Sequence, residues 1–203
     1  MSGLGTRYRL PAGSAWGEIE SPVGPLGAVV TPIGLLRLGF GPLAAAAEEF
    51  AAPDAAPPRD GRREPGARIL EAPSAAPPPL REHEFGALIV RELAEYFDGA
   101  RRDFTVPVDW SLTSGAQRSI LATLYGKVPF GSTVGYGDLA LLAGRTLGAS
   151  RLVGTVMGSN PAVIVVPCHR VIAADGGIGG FGGGLETKRR LLTLEGSLQP
   201  TLF

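Results

Sequence analysis

The sequence predicts an α/β (α+β) protein in which a small N-terminal domain of sheet plus helix precedes a mainly helical C-terminal domain. Three observations carry that reading. Residues 15–40 fall into short apolar runs separated by Pro22-Val23-Gly24-Pro25 and Pro32-Ile33-Gly34, the punctuation of tight turns between strands. Residues 82–98 place Phe85, Leu88, Ile89, Leu93, Tyr96 and Phe97 at three- and four-residue spacing, one apolar stripe along a helix. Beyond residue 114, short helical segments alternate with glycine-rich turns. Two of them flank Gly144-Arg145-Thr146-Leu147-Gly148 in the manner of a helix-turn-helix, a pattern that packed helices with no DNA also show.

In chain order, the N-terminal domain is expected over 1–98. A short helix over 43–51 follows the strands. Residues 51–80 hold eight prolines and eight alanines, a density that blocks helix and sheet interiors and marks an insert or long loop. Gly99 caps the 82–98 helix. Residues 99–113 form a connecting segment, extended around Pro107. The C-terminal domain, 114–203, opens with a helix capped by Thr113 or Ser114, running to Tyr125 with Ala116, Ile120, Leu121 and Leu124 inward, and stopped by Gly126. Short helices over 139–143 and 149–159 follow, the second broken by Asn160-Pro161. Ala162–Val166 is apolar and β-branched, a buried strand. Val171–Ala174 is extended. Seven of the nine residues 176–184 are glycine, and a last helix over 185–194 carries Lys188, Arg189 and Arg190.

Composition narrows the function. With 203 residues, 44% hydrophobic and 19% charged, the chain buries a real core in one or two compact units. It has no run of about 18 apolar residues, and MSGLGTRYRL lacks the apolar centre of a signal peptide, so a cytoplasmic protein with no membrane contact is expected. A single cysteine excludes an internal disulfide and a Cys-rich zinc site. The net charge of zero hides an asymmetry: residues 1–114 carry 11 basic and 15 acidic side chains, residues 115–203 carry 8 and 4. The positive excess points a polyanion at the C-terminal half, although ordinary scatter of surface charge accounts for it equally well.

The only cysteine, Cys168, stands beside one of only two histidines, His169, after the apolar run and a proline. A thiol becomes a strong nucleophile as thiolate, which needs a base or positive charge nearby. Side chains of adjacent extended residues diverge, so His169 can serve Cys168 only after a backbone turn or through a bridging water. Taken alone, the pair reads more readily as a buried structural cysteine beside a satisfied histidine.

Asn160-Pro161, the apolar run, Pro167-Cys168-His169-Arg170-Val171, the glycine loop and Leu194-Glu195-Gly196, in that order, resemble the O6-alkylguanine-DNA alkyltransferases, also called methylated-DNA–protein-cysteine methyltransferases. The resemblance covers most of 114–198. It implies repair by irreversible transfer of an alkyl group from O6-alkylguanine in flipped-out DNA to Cys168, one turnover per molecule with no metal or organic cofactor, O4-alkylthymine being an open second substrate. His169 would deprotonate Cys168 through a water, and Glu195 would polarise His169, a nucleophile–base–carboxylate logic. Asn160 would tie the turn before the strand to the helix-turn-helix. Tyr136 would meet a phosphate and donate a proton toward the leaving guanine. Arg151 would fill the gap left by the flipped base, with Ala149 and Gly154 allowing close approach to the groove. Val171, Phe181, Gly182 and Gly183 would line the substrate pocket, making 176–184 the active-site loop. The implied partner is double-stranded DNA bound through its minor groove by a monomer, cooperative binding along DNA being left open.

The chain departs from that pattern in places. Phe181 stands where some relatives have tyrosine, and Gly182-Gly183-Gly184 removes side chains, so bulkier adducts should enter more readily. The stretch from Tyr136 to Arg151 is one residue longer. Competing readings are a lesion-binding relative without the reactive cysteine, which Cys168 argues against, a cysteine hydrolase, and a plain DNA-binding regulator.

Overall fold

The computed structural model describes residues 7–42, 69–71, 78–174 and 176–198. Its contacts divide the chain into two compact units, Met1–Arg91 with Val106–Leu112, and Glu92–Thr105 with Thr113–Phe203. By this grouping 106–112 goes with the sheet and 92–105 with the second unit.

In the first unit β1 (Arg7–Arg9) pairs in parallel with β5 (Ile69–Glu71). The strand-like stretch 15–40 is a three-stranded antiparallel meander of β2 (Ala15–Ile19), β3 (Leu26–Thr31) and β4 (Gly34–Phe40). Central β3 is buried at every residue. Its register on β4 shifts between Val29, which pairs with Arg37, and Val30, which pairs with Leu35, leaving Leu36 as the extra residue of a bulge. Leu36 packs with Leu10, Val29 and Leu112, and Trp16 leans on the cluster. Each such buried aliphatic contributes about 1.5–3 kcal/mol.

The segment after Phe104 joins this sheet. Leu35 N donates to Pro107 O at 2.7 Å and Asp109 N to Leu35 O at 2.8 Å. Gly34, φ 148°, has to be glycine, since an added Cβ would lie 2.2 Å from Pro107 O. Buried Asp109 accepts from Thr31 Oγ1 at 2.6 Å and from Ser111 N at 2.9 Å, so its charge is satisfied.

Of the expected insert, Ile69–Glu71 is strand and Leu80 opens a 3-10 turn ending at Glu82, which corrects the loop reading there. The rest of 51–77 and the helix expected over 43–51 lie outside the described residues. Helix α1 spans Glu84–Phe97 and buries Ile89, Leu93 and Tyr96 from the expected stripe. Its stripe also contains Glu92, fully buried, which accepts from Thr105 N at 3.0 Å and pairs with Arg101 at 3.1 Å, closing the 92–105 loop on itself.

The second unit is mainly helical. Helix α2 (Gly115–Lys127) buries Ile120, Leu121 and Leu124, while Ala116 is only partly buried. Gly126 does not stop it; the helix passes through to Lys127, where Val128 N closes on Leu124 O. The short strand β6 (Val134–Gly135) leads into α3 (Tyr136–Leu142), which starts three residues earlier than expected. A 3-10 turn, Leu147–Ala149, precedes α4 (Ser150–Gly158), so Ala149 stands just outside the second helix of the pair. Strand β7 (Val171–Ile172) pairs in parallel with β6, and α5 is Leu185–Leu194 as expected. No helix among the described residues is long and apolar enough to cross a membrane.

One helical glycine gives a test of packing against propensity. Alanine is the better helix former by about 1 kcal/mol, but a Cβ on Gly86 would lie 1.8 Å from the backbone oxygen of Leu80. Overpacking of that kind costs about 1–3 kcal/mol or more. Gly86→Ala should therefore lower the thermal midpoint despite its helix propensity; a raised midpoint would show that the 3-10 turn yields freely.

Candidate active site

The approach to Cys168 is a strained turn where the sequence suggested a strand. Val166 N donates to Ala162 O and Val165 N to Val163 O, both at 2.8 Å. The second bond closes a γ-turn centred on Ile164 at φ 70°. This is the rare, strained form, and a β-branched residue resists it most. Pro167, φ −83° and ψ 64°, centres an inverse γ-turn closed by Cys168 N on Val166 O at 2.9 Å. Ala162, Ile164, Val165 and Val166 are buried as expected, but hydrophobicity alone does not separate a buried strand from a buried turn. Asn160 braces the reversal: Oδ1 accepts from Ala162 N at 3.1 Å and Nδ2 donates to Val166 O at 2.8 Å. It lies two residues past the end of α4, and its amide fastens the reversal that leads from that helix to the cysteine.

Cys168–Arg170 is a 3-10 turn, the change of direction that adjacent Cys and His need to serve one site. Both Cys168 and His169 are buried. His169 Nε2 lies 2.8 Å from Glu195 Oε1. An ionised carboxylate only accepts, so Nε2 carries the hydrogen and Nδ1 is left as the basic nitrogen. Nδ1 is buried and has no hydrogen-bond partner among the described residues. Glu195 caps the C-terminal end of α5, so the last helix sets its position.

Glu195 has further partners. Arg170 donates through Nε to Oε2 at 2.8 Å and through Nη2 to Oε1 at 3.0 Å, and its Nη1 reaches Val128 O at 2.7 Å. The Tyr96 hydroxyl donates to Oε1 at 2.8 Å. Burial would raise the Glu195 carboxyl, but hydrogen bonds from His169 and Arg170 outweigh it and hold it at about 2. Burial lowers His169 below its ordinary value; Glu195 opposes that, and the Arg170 and Lys188 charges reinforce it. Burial pushes the Cys168 thiol up, against the Asn160 hydrogen bond and the Lys188 charge. At neutral pH the resting pair is thus a thiol and a neutral imidazole.

The remaining candidates surround this centre. Tyr136 begins α3; a Cβ added at Gly154 would lie 3.9 Å from its ring and one at Gly179 3.5 Å from its hydroxyl, so it sits between α4 and the glycine loop. Burial raises its phenol, and so does nearby Cys168. Arg151, second residue of α4, is exposed, and Ala149 and Gly154 are partly exposed. Val171 is buried in β7, Phe181 and Gly183 are partly exposed, and Gly182 is exposed. A Cβ on Gly182 would meet nothing within 4 Å.

Three residues of the site escaped the sequence reading. Arg170 lies inside the cysteine motif itself. Buried Lys188 donates to Val171 O at 2.7 Å and to Ile178 O, tying β7 to the glycine loop. Its signal was present: 188, 191, 192 and 195 share one helical face, which includes Leu191, Leu192 and Glu195. Tyr96 was read as part of an apolar stripe, and nothing in the pattern reports where a hydroxyl goes.

Residues 116–197 match the family described as 6-O-methylguanine DNA methyltransferase, DNA binding domain. The chain is 45% identical over 117 residues to a methylated-DNA–protein-cysteine methyltransferase of Mycobacterium tuberculosis, covering 56% of this chain and 69% of that protein. The chain belongs to this family. A member from Methanopyrus kandleri is 48% identical over 109 residues, covering 53% of this chain and 79% of that protein. The crystal structure of the M. tuberculosis O6-methylguanine methyltransferase superposes with a TM-score of 0.65 at 31% identity, covering 93% of this chain and 96% of that one. The M. tuberculosis protein in complex with DNA gives 0.66 at 32% identity, covering 90% and 93%. The methyltransferase fold, a three-stranded antiparallel sheet followed by a mostly helical part, is therefore the fold of this chain.

The buried pair predicts acid sensitivity in two windows. His169 is lowered by folding, so below about pH 6.5 the unfolded chain binds a proton that the fold resists, and stability falls. Glu195 is also lowered by folding; its stabilisation is full above about pH 4.3 and is lost as the pH falls toward about 2. In urea unfolding across this range, His169→Asn should flatten the upper window and narrow the lower one, because Glu195 loses one of the hydrogen bonds that hold it low. An unchanged upper window would mean that His169 titrates normally in the fold.

Proposed function

We propose that this chain, a DNA-repair methyltransferase with a DNA-binding domain, uses Cys168 as its alkyl acceptor and reacts once per molecule. The observation that carries the reading is the bonded pair at the end of the strained turn: Glu195 on His169 Nε2, which leaves Nδ1 as the unbonded basic nitrogen of a buried histidine next in sequence to a buried cysteine. In the proposed step Nδ1 accepts the thiol proton through a water, and the thiolate attacks the alkyl carbon. The S–C bond forms as the C–O6 bond breaks, its electron pair goes to guanine, and Tyr136 returns a proton to the base. A thioether is a poor leaving group, and no residue of the set would hydrolyse it.

Double-stranded DNA carrying O6-alkylguanine is the proposed partner. O6 is hidden in the base stack, so the nucleotide must be extruded, at a cost of a few kcal/mol. Exposed Arg151 at the start of α4 suits filling the vacated space, because a planar guanidinium both stacks and donates. Its position at a helix N-terminus opposes the helix dipole, so it is not there for helix stability. Partly exposed Ala149 and Gly154 carry little or no side chain, as close approach to the minor groove requires.

Intact-mass measurement after incubation with duplex DNA bearing O6-methylguanine should show one added methyl, located on Cys168 and never a second. Cys168→Ala should show none while keeping most DNA affinity. Unmodified Cys168 in folded, reduced wild-type protein would refute the reading.

The open space beyond Gly182 supports access for larger adducts. Gly182→Ser should slow transfer from O6-benzylguanine more than from O6-methylguanine; an unchanged ratio of the two rates would remove this loop glycine from substrate selection.

A further inference from the structure

We propose that Tyr96 is a positioning residue of the acceptor site, its hydroxyl fixing the Glu195 oxygen that faces His169 and sharing that oxygen's charge. The proposal rests on Cys168 and His169 acting as described above. Its basis is the uneven load on the carboxylate. Oε1 accepts from Tyr96 Oη at 2.8 Å, His169 Nε2 at 2.8 Å and Arg170 Nη2 at 3.0 Å, whereas Oε2 accepts from Arg170 Nε at 2.8 Å. The oxygen that orients the imidazole is thus the crowded one, and its charge is divided among three donors.

Tyr96 is held firmly enough to do this. Its side chain is fully buried. Its ring meets Phe97 edge-on at 5.3 Å and Phe130 edge-on at 6.2 Å, and is tilted on Phe104 at 5.4 Å. The Arg170 guanidinium lies 6.0 Å from the same Phe130 ring. Burial and then the Glu195 charge raise the phenol, so it remains a donor wherever the protein is folded.

The consequence has a sign. Every donor on Oε1 reduces the pull of Glu195 on an imidazolium proton, so Tyr96 keeps His169 a weaker base and ready to release what it takes. Removing the hydroxyl leaves more charge for His169. The other charged or titratable groups facing the pair stay in place: Cys168 and Arg170 on the same 3-10 turn, and Lys188 from α5. His169 should then hold its proton to higher pH.

The test is Tyr96→Phe, read in two ways. The first is the single-turnover rate of methyl transfer from O6-methylguanine duplex against pH. The second is direct NMR titration of the His169 ring without DNA. Both midpoints should move up by about half a pH unit or more, and the shift should vanish on a Glu195→Gln background. Midpoints equal to wild type in folded Tyr96→Phe protein, or an equal shift without the carboxylate, would overturn the proposal. If Tyr96→Phe fails to fold, 3,5-difluorotyrosine at position 96 is a stronger donor of nearly the same shape, and it should move both midpoints down; no movement is again fatal. If wild-type protein transfers no methyl to Cys168, the functional reading fails, and the NMR titration still decides the role of Tyr96.

Discussion

A carboxylate sealed from water must be surrounded by donors or give up its charge, and Glu195 keeps its charge. The effective penalty for burying an ion is several kcal/mol. Here it is offset by Arg170, His169 and Tyr96 together. The demand for convergence is severe, because those donors come from the 3-10 turn after Pro167 and from the end of α1, while the acceptor caps α5. Replacing such a cluster by hydrophobic side chains is often neutral or stabilising, so stability does not account for it. What the cluster settles is the histidine: with Nε2 committed to a carboxylate, the basic lone pair can only be on Nδ1.

The turn before Cys168 follows the same logic at the level of the backbone. A β-branched residue at positive φ costs on the order of 1–3 kcal/mol, and Ile164 bears it at the centre of a γ-turn. The strain persists because the neighbours over-determine it. Ile164, Val165 and Val166 are buried, at about 1.5–3 kcal/mol each, and both ends of the Asn160 amide are bonded across the reversal. Local burial therefore outweighs local strain, and the cysteine is held at the exit of a turn that has little freedom to relax.

Much of this was legible in the chain and some was not, for identifiable reasons. The meander, α1 and α5 follow from periodicity and turn residues, which report directly on which face is wet. Cys168, His169, Glu195 and Asn160 emerge from a motif whose order survives in one dimension; the structure bonds His169 to Glu195 and sets the Asn160 amide across the turn before Cys168. The strand expected over 162–166 failed because a buried turn and a buried strand have the same composition. Gly126 misled because a glycine lowers helix propensity by about 1 kcal/mol, less than the packing of Ile120, Leu121 and Leu124 returns. Tyr96 and Glu92 were hidden inside an apolar stripe, since spacing reveals the face of a helix and says nothing of the polar atoms that lie on it.

Burial of the thiol also bears on why such a reaction runs one way. In water a thiolate is well solvated; at Cys168 burial penalises the charged form, and the Asn160 hydrogen bond, the Lys188 charge and the backbone hydrogen bonds of Cys168 and His169 only moderate that penalty. In the proposed step the nucleophile is therefore uncharged at rest and becomes charged as His169 takes its proton. Alkylation replaces a group that titrates with a thioether that does not, so the product no longer carries the charged form that the site disfavours. The environment that makes the thiolate costly to form is the one in which the neutral product is most at home, and a site built this way favours capture of the alkyl group over its return.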